Sequence, residues 1–124
     1  MGKIDSRAKG ARAERSFAKM LREYGYEAER GCQHQGGKDS PDVKSDMLGC
    51  HWEIKHVERL NLDKAMEQSK RDAGADEMPL VGHRKNRTEW LVTMRFTDWI
   101  KLFKAYEEQT NESRVETLSE DSTA

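Results

Sequence analysis

Two carboxylates and a lysine at short spacing are the residues of this sequence best suited to chemistry. Asp42 follows a proline, and Glu53 and Lys55 stand two positions apart in the stretch HWEIK. On a β-strand these two side chains point the same way, and Asp42 faces Glu53 if its segment pairs with the strand as a hairpin. Mg²⁺ prefers carboxylate oxygens, and an ammonium group stabilises charge on a phosphate or orients an attacking water. The pattern predicts metal-assisted phosphodiester hydrolysis; the alternative is a solvated strand face.

Two further polar side chains on predicted helices are candidates for the same site. Glu14 shares the apolar stripe of the first helix with Phe17 and Leu21, where an acid is uncommon unless a cation or a metal pairs with it. Gln68 lies beside the stripe of the second helix and could reach the same face of the sheet. The alternatives are an ion pair for Glu14 and an ordinary surface position for Gln68.

Hydrophobic periodicity and turn residues divide the chain into elements in the order α-β-β-β-α-β-β-α. Helices are predicted over 10–25 and 62–73 and from about 97, and strands over 26–32, 42–45, 49–57, 78–83 and 89–94. Trp52 and Ile54 would face the core on the third strand. Because a helix links strands three and four, the fold class is α/β, a mixed sheet flanked by helices. The last helix carries an apolar stripe of Trp99, Leu102, Phe103 and Tyr106.

The length and the charge distribution set the domain organisation. A chain of 124 residues allows one domain. We predict a basic arm over 1–9, a nuclease domain over 10–108 and an acidic, disordered tail over 109–124. The net charge of −1 hides an asymmetry, since residues 1–104 carry +4 and residues 105–124 carry −5. The body is therefore suited to a polyanion.

The cellular setting is predicted from what the sequence lacks. No run of eighteen apolar residues could span a membrane, and the N-terminus has no secretory signal. Cys32 and Cys50 are expected to be reduced thiols. We expect a cytoplasmic protein of a bacterium or of a phage-infected host, with no membrane partner.

Two basic clusters are predicted to contact DNA phosphates, which position a nucleic acid without reading its sequence. The members of these clusters are Lys9, Arg12 and Arg15 on the first helix, and His83, Arg84, Lys85 and Arg87 in the turn between the last two strands. The alternative is a solvated surface. No zinc-finger or recognition-helix pattern indicates base readout.

In their order, these segments resemble the PD-(D/E)xK nuclease superfamily. The likeness covers about residues 8 to 104 and consists of GARAERSFAKML around Glu14, then SPDV, HWEIK, AMEQSKRDA and PLVGHRKNRTEWLVTM. More narrowly, the chain resembles the small Holliday-junction-resolvase-like endonucleases of archaea and bacteriophages. The resemblance implies a restriction-endonuclease-like fold and a metal-dependent endodeoxyribonuclease.

The resemblance also implies roles for the site residues. Asp42 and Glu53 would hold Mg²⁺, for which Mn²⁺ would substitute, and the backbone carbonyl of Ile54 would be a third oxygen ligand. Lys55 would be the catalytic lysine. Glu14 would assist metal or water binding and is a further candidate ligand.

A glutamine and a loop complete the residues that the resemblance assigns. Gln68 matches the glutamine that follows on the next helix in many superfamily members. The loop QHQGGK corresponds to a segment that approaches the scissile strand, and Gln33, Gln35 and Lys38 are its candidate DNA contacts. Resolvases of the archaeal type place a serine in this loop, whereas this chain offers Gln33, His34 and Gln35. That departure leaves junction selectivity open.

The implied partner is DNA with a four-way junction, cut by a homodimer whose two sites cleave opposing strands to leave 5′-phosphate and 3′-hydroxyl ends. No organic cofactor is expected. The rival interpretations are a phage nicking or DNA-processing nuclease without junction preference, a catalytically silent DNA-binding module, and an adaptor that docks through the acidic tail. Structural zinc is disfavoured because the cysteines and histidines lack paired ligand spacing. His51 shares the strand face of Glu53 and is a candidate substrate contact.

Overall fold

The structure is a computed structural model that describes residues 6–31 and 41–121, with side chains described as far as residue 115. Its helices are α1 (Ser6–Glu23), α2 (Leu62–Asp72) and α3 (Phe96–Asp121). Its strands are β1 (Ala28–Arg30), β2 (Val43–Ser45), β3 (Cys50–His56), β4 (Met78–Arg84) and β5 (Leu91–Met94). The predicted element order is confirmed.

The five strands form one mixed sheet in the spatial order β1-β2-β3-β4-β5. Strands β1, β2 and β3 are joined antiparallel, β3 and β4 run parallel, and β5 is antiparallel to β4. The parallel pair needs a crossover, and α2 supplies it, as the sequence predicted. The sheet is therefore mixed and flanked by helices, in agreement with the expected α/β class.

One face of the sheet packs against α1. Phe17 is 1% exposed, and its ring centroid lies 4.7 Å from that of Trp52 and 5.1 Å from that of Trp90. Trp52, Ile54 and Leu80 belong to the same buried cluster, as expected for alternate residues on one face of parallel neighbours. This packing fixes the rotation of α1 and, with it, the direction in which Glu14 points.

The opposite face of the central strands is also buried. His51, Glu53 and Val81 are at most 2% exposed, although they alternate with the residues that face α1. Helix α2 begins after Asn61, whose side-chain oxygen accepts a hydrogen bond from the backbone N–H of Lys64. It is anchored to β4 by Ser69, whose hydroxyl donates to the Leu80 carbonyl at 2.9 Å. A strand covered on both faces explains why a carboxylate of β3 can be withdrawn from water.

Helix α1 ends where the sequence indicated. Gly25 has a φ of +98°, a conformation that favours glycine. The backbone N–H groups of Gly25 and Tyr26 donate to the carbonyls of Arg22 and Leu21 and so satisfy the last turn of the helix. The chain then turns directly into β1.

Two predicted boundaries differ from the structure. Helix α1 begins at Ser6, so residues 6–9 of the predicted arm are helical. Helix α3 continues to Asp121, whereas the sequence analysis ended it near residue 108 and expected a disordered tail. The stretch 95–121 contains no glycine or proline, and glutamate-rich sequence of this kind supports a helix once one has started. Apolar residues do not recur at helical spacing in the last part of this stretch, so hydrophobic periodicity does not indicate a helix there.

The chain forms two compact units that divide between Met94 and Arg95. The first contains the sheet with α1 and α2, and the second is α3. The predicted single domain over 10–108 therefore ends inside α3. On α3 the apolar stripe is not buried: Trp99, Leu102, Phe103 and Tyr106 are 41–63% exposed. Within the described residues, no helix is both long and apolar enough to cross a membrane.

Candidate active site

Asp42 is held rigidly at the point where β2 meets β3. Its backbone N–H donates to the Trp52 carbonyl at 2.9 Å, and its own carbonyl accepts from the Gly31 N–H at 2.8 Å. One carboxylate oxygen, Oδ2, accepts a hydrogen bond from the backbone N–H of Ile54 at 2.8 Å. The residue is 9% exposed. The side chain thus takes the place of a main-chain partner for β3 and has a fixed orientation.

Glu53 lies next to Asp42 across the hairpin. Val43 pairs with Trp52; Asp42 directly precedes Val43, and Glu53 directly follows Trp52. The two carboxylates therefore lie side by side on neighbouring strands. Glu53 is 2% exposed, and burial raises its pKa to about 8, with repulsion from Asp42 as the next cause. A hydrogen bond between the two carboxyl groups also favours the protonated form. The predicted pair of facing carboxylates is present.

Lys55 is on the same face of β3 as Glu53, two residues further along. Its Nζ lies 3.5 Å from Glu53 Oε1, and its side chain remains 33% exposed. Attraction to this ammonium group lowers the pKa of Glu53, but by less than burial raises it. A cation that is partly exposed to solvent and lies beside the Glu53 carboxylate is suited to meet a phosphate from solvent.

Glu14 reaches the same cluster from α1. It is 8% exposed, and its Oε2 accepts a hydrogen bond from Arg30 Nε at 2.5 Å. Burial raises the pKa of Glu14, the hydrogen bond from Arg30 lowers it, and the charge of Asp42 raises it further. The charge of Lys55 lowers the pKa of Glu14. Three carboxyl groups and two cations therefore share one electrostatic environment.

Arg30 is the site residue that the sequence analysis missed. It is the last residue of β1, directly before Gly31, and its side chain is 40% exposed. The sequence had indicated that a buried Glu14 needs a cationic partner, but any of several lysines and arginines could have served. Only the pairing of β1 with β2, which sets Arg30 opposite Val43, selects it.

The described donor set fits a divalent cation held by few protein ligands. No three acidic, histidine or cysteine side chains within the described residues come close enough to hold a metal by themselves. Asp42 and Glu53 provide two carboxylates at short range, and the pKa of Glu53 is raised to about 8 first by burial and then by repulsion from Asp42. A cation between them would remove that repulsion. Mg²⁺ characteristically binds with one or two carboxylates and completes its shell with water and phosphate oxygens.

His51 lies differently from what the sequence suggested, whereas the role of Gln68 stays a prediction. Gln68 is half-buried on α2, and among the described residues none forms a hydrogen bond with its side chain. His51 is 0% exposed, with Nδ1 3.7 Å from Glu77 Oε1. A substrate cannot touch it, so the idea that it contacts DNA is wrong. The cause is α2, which covers this face of β3 more completely than the alternation of residues indicated.

The predicted DNA contacts have unequal access to solvent. Arg12 and Arg15 are exposed on α1, whereas Lys9 is half-buried. In the turn after β4, Lys85 and Arg87 are exposed.

The remaining candidates of that turn are engaged within the chain. The guanidinium of Arg84 lies 5.5 Å from the Trp90 ring centroid. His83 Nε2 is 2.9 Å from Thr93 Oγ1, and burial lowers the pKa of His83, which makes it a poor phosphate ligand at neutral pH. Gln33, Gln35 and Lys38 lie outside the described residues, as do Cys32 and His34.

The arrangement defines a nuclease of the PD-(D/E)xK class: a mixed sheet in which a Pro-Asp hairpin strand pairs with a Glu-x-Lys strand, and a helix brings in an acid from the side. The chain belongs to the family described as "Phage putative PDDEXK endonuclease", whose model matches residues 5–123. No curated protein matches the sequence.

A solved structure with a similar fold is that of Hjc from Archaeoglobus fulgidus, a Holliday junction resolvase from an archaeal hyperthermophile. The TM-score is 0.54 at 25% sequence identity, and the match covers 69% of this chain and 72% of that one. The expected superfamily and fold are thereby confirmed.

Proposed function

We propose that this protein is a Mg²⁺-dependent DNA endonuclease that cuts branched DNA, with its centre at Asp42, Glu53 and Lys55. The observation that carries the proposal is the buried carboxylate pair beside a partly exposed lysine, with Lys55 Nζ 3.5 Å from Glu53 Oε1. A buried pair of acids in which the pKa of Glu53 is raised to about 8 is unfavourable for the fold alone. Such an arrangement is typical of a site that receives a cation and a phosphate.

Each residue has a role that follows from its surroundings. Asp42 and Glu53 would hold Mg²⁺ or Mn²⁺, with the Ile54 carbonyl as a further oxygen donor. When bound, the cation supplies Lewis-acid stabilisation of the charge that develops on the phosphate. Lys55 is accessible from solvent and would hold the attacking water or a phosphate oxygen. Glu14, held by Arg30, adds a third acid that can orient water at the edge of the pair.

The reaction is hydrolysis of a phosphodiester. A water oxygen forms a bond to phosphorus while the bond from phosphorus to the 3′-oxygen breaks. The attacking water gives one proton to a neighbouring base, and the 3′-oxygen takes up one proton from solvent; the second proton of the water stays on the new phosphate until it ionises. The products are a 5′-phosphate and a 3′-hydroxyl end. Neither organic cofactor nor redox chemistry is needed for this balance.

The preference for a four-way junction rests on the similarity of the fold to Hjc of Archaeoglobus fulgidus. Symmetric cuts in two opposing strands need two related sites, and we therefore propose a homodimer. Membership of a phage endonuclease family supports action in the cytoplasm of a bacterial host.

The DNA backbone would be contacted by exposed basic side chains, namely Arg12, Arg15, Lys85 and Arg87. Further contacts would come from Lys9, Arg84, Gln33, Gln35, Lys38 and, more weakly, His83. Gln68 would support the site from α2.

The test of the site compares cleavage with binding. The full chain and its Glu53→Gln and Lys55→Ala variants are incubated with labelled DNA in Mg²⁺, and affinity is measured separately in EDTA. We expect each variant to lose cleavage by about 10²-fold or more while binding stays within a few-fold. Lys44→Ala removes an exposed lysine from the neighbouring strand β2 and serves as the matched control. Full activity of either site variant would contradict the assignment.

The test of the DNA surface uses salt dependence. Lys85→Ala and Arg87→Ala should weaken binding to all sequences about equally and reduce the slope of log affinity against log salt by about one for each phosphate contact removed. Lys44→Ala is again the control. An unchanged slope would remove the turn after β4 from the interface.

A further inference from the structure

Helix α3 carries a row of exposed aromatic side chains that lies outside the site. Phe96, Trp99, Phe103 and Tyr106 are 71%, 43%, 41% and 63% exposed. Their rings follow one another along the helix, with centroid separations of 6.0, 5.1 and 6.0 Å. The spacing of three, four and three residues keeps all four on one side of a 3.6-residue helix. We call these four side chains the aromatic stripe.

The stripe needs a partner for two physical reasons. A helix gains most of its stability from burying an apolar face, and α3 is 26 residues long with this face in water. Large aromatic side chains bury about 150–250 Å² each, so at these exposed fractions the stripe and Leu102 leave on the order of 500 Å² of apolar surface per chain. A patch of that size on a single chain usually marks an interaction site.

We propose that the aromatic stripe of α3 pairs antiparallel with the same stripe of a second copy of this chain and forms the interface of a homodimer. The inference rests on the proposed function, in which a dimer cuts two strands, and it names the surface that joins the copies. Two stripes and the two Leu102 side chains together bury about 1,000 Å², the lower limit for a specific interface. We therefore expect a reversible dimer with a dissociation constant in the micromolar range.

The antiparallel direction follows from the stripe and from the charge along α3. About a two-fold axis at residue 101, Phe96 comes level with Tyr106 of the partner and Trp99 with Phe103, so every ring meets a ring. Lys101 lies on the opposite side of the helix and does not enter the seam. Residues 95–104 carry a net charge of +2 and residues 105–121 carry −5. With the axis at residue 101, the acidic residues 107–121 of the two chains extend past opposite ends of the paired stripes and stay apart. A parallel pair would instead align the two acidic ends.

The same charges disfavour a nucleic acid as the occupant. Exposed aromatic rings can stack on bases, but proteins that use them in this way line the groove with positive charge. Here the stripe runs directly into Glu107, Glu108 and Glu112. A phosphate backbone that followed the rings would meet these carboxylates.

The first part of the test is the oligomeric state of the full chain, measured by sedimentation equilibrium over about 1–300 µM. We expect the native chain to be a dimer at the upper end, and the Trp99→Ala/Phe103→Ala variant to dissociate at least about 100-fold more readily, since two central rings are lost from each chain. Val115→Ala removes an exposed apolar side chain from the same helix outside the stripe and should change nothing. Far-UV circular dichroism checks that each variant folds.

The second part tests direction by disulfide trapping, which requires Cα atoms within about 7 Å. A mixture of Phe96→Cys and Tyr106→Cys chains should give a crosslinked heterodimer, while each variant alone should crosslink no more than the native chain. Self-crosslinking of each variant alone would show a parallel pair and overturn the direction. A native chain that stays monomeric, or a dimer indifferent to the Trp99→Ala/Phe103→Ala change, would overturn the interface. If the native chain is monomeric and the Trp99→Ala/Phe103→Ala change weakens its binding to single-stranded DNA, the stripe stacks on bases instead and the interface is overturned.

Cleavage is measured on the same samples so that the two proposals fail separately. A dimer through α3 without nuclease activity would retain the interface and remove the proposed function. Cleavage by a monomer would retain the nuclease and remove the interface.

Discussion

Replacement of Glu53 by glutamine should stabilise the metal-free protein at alkaline pH. The ordinary pKa of a glutamate is 4.5, and burial together with Asp42 raises that of Glu53 to about 8. Between these two values the folded chain holds a proton that the unfolded chain has released. The unfolding free energy therefore falls as the pH rises from 4.5 to 8, and the penalty is complete above pH 8. Glutamine resembles the protonated acid and can still donate to Asp42.

The size of the effect follows from the displacement of the pKa. At 1.36 kcal/mol for each tenfold change, the penalty at pH 8 is about 4 kcal/mol, and at pH 5 it is below about 1 kcal/mol. The interaction with Lys55 is lost in the variant, but this side chain is 33% exposed and screened by water. A domain of this size has a total stability of about 5–15 kcal/mol, so the gain is large enough to measure.

Urea unfolding of the two proteins in EDTA at pH 5 and pH 8 measures the difference. We expect the midpoints to coincide at pH 5 and the variant to be clearly more stable at pH 8. Mg²⁺ or Mn²⁺ should then stabilise the native chain at pH 8 and leave Glu53→Gln almost unchanged, because the variant has lost a ligand. A native chain as stable as the variant at pH 8 would refute the argument that burial and repulsion make Glu53 unfavourable.

Two further substitutions test the supports of the site. Arg30→Gln removes the hydrogen bond that lowers the pKa of Glu14, so the pH at which cleavage reaches half its maximum should move upward; an unshifted pH–rate profile would exclude Glu14 from the reaction. Gly31→Ala would bring a Cβ to 2.0 Å from the Pro41 carbonyl oxygen, a backbone overlap, and thermal unfolding should show a loss of several degrees or no folding at all. Gly10→Ala is the matched control: it lies in α1 with no atom within 4 Å of an added Cβ and should stabilise the chain by about 1 kcal/mol.

The hairpin site could be predicted because it depends on short-range geometry. Alternation along HWEIK sets Glu53 and Lys55 on one face, and the pairing of Val43 with Trp52 brings Asp42 beside them. Gly25 indicated the end of α1, and the helix between strands three and four indicated that these strands are parallel. Both signals are also local in the sequence.

What could not be predicted depends on contacts between distant parts of the chain. The partner of Glu14 is separated from it by 16 residues, and only the pairing of β1 with β2 selects Arg30. The burial of His51 required knowing how fully α2 covers β3. The length of α3 was missed because a charged helix without an apolar period has no signal except the absence of glycine and proline. The exposure of its aromatic stripe could not be predicted because apolar periodicity shows which side of a helix is apolar and not whether that side is covered.

The central claim is tested most directly by incubating the purified chain with a labelled four-way junction, the matched linear duplex and a single strand, each in Mg²⁺ and in EDTA. We predict paired, symmetric cuts in the junction that EDTA abolishes and that the Glu53→Gln and Lys55→Ala variants do not make. Cutting of all three DNAs would keep the nuclease centre and remove the preference for branched DNA. Intact binding without cutting of any substrate in Mg²⁺ or Mn²⁺ would contradict the account.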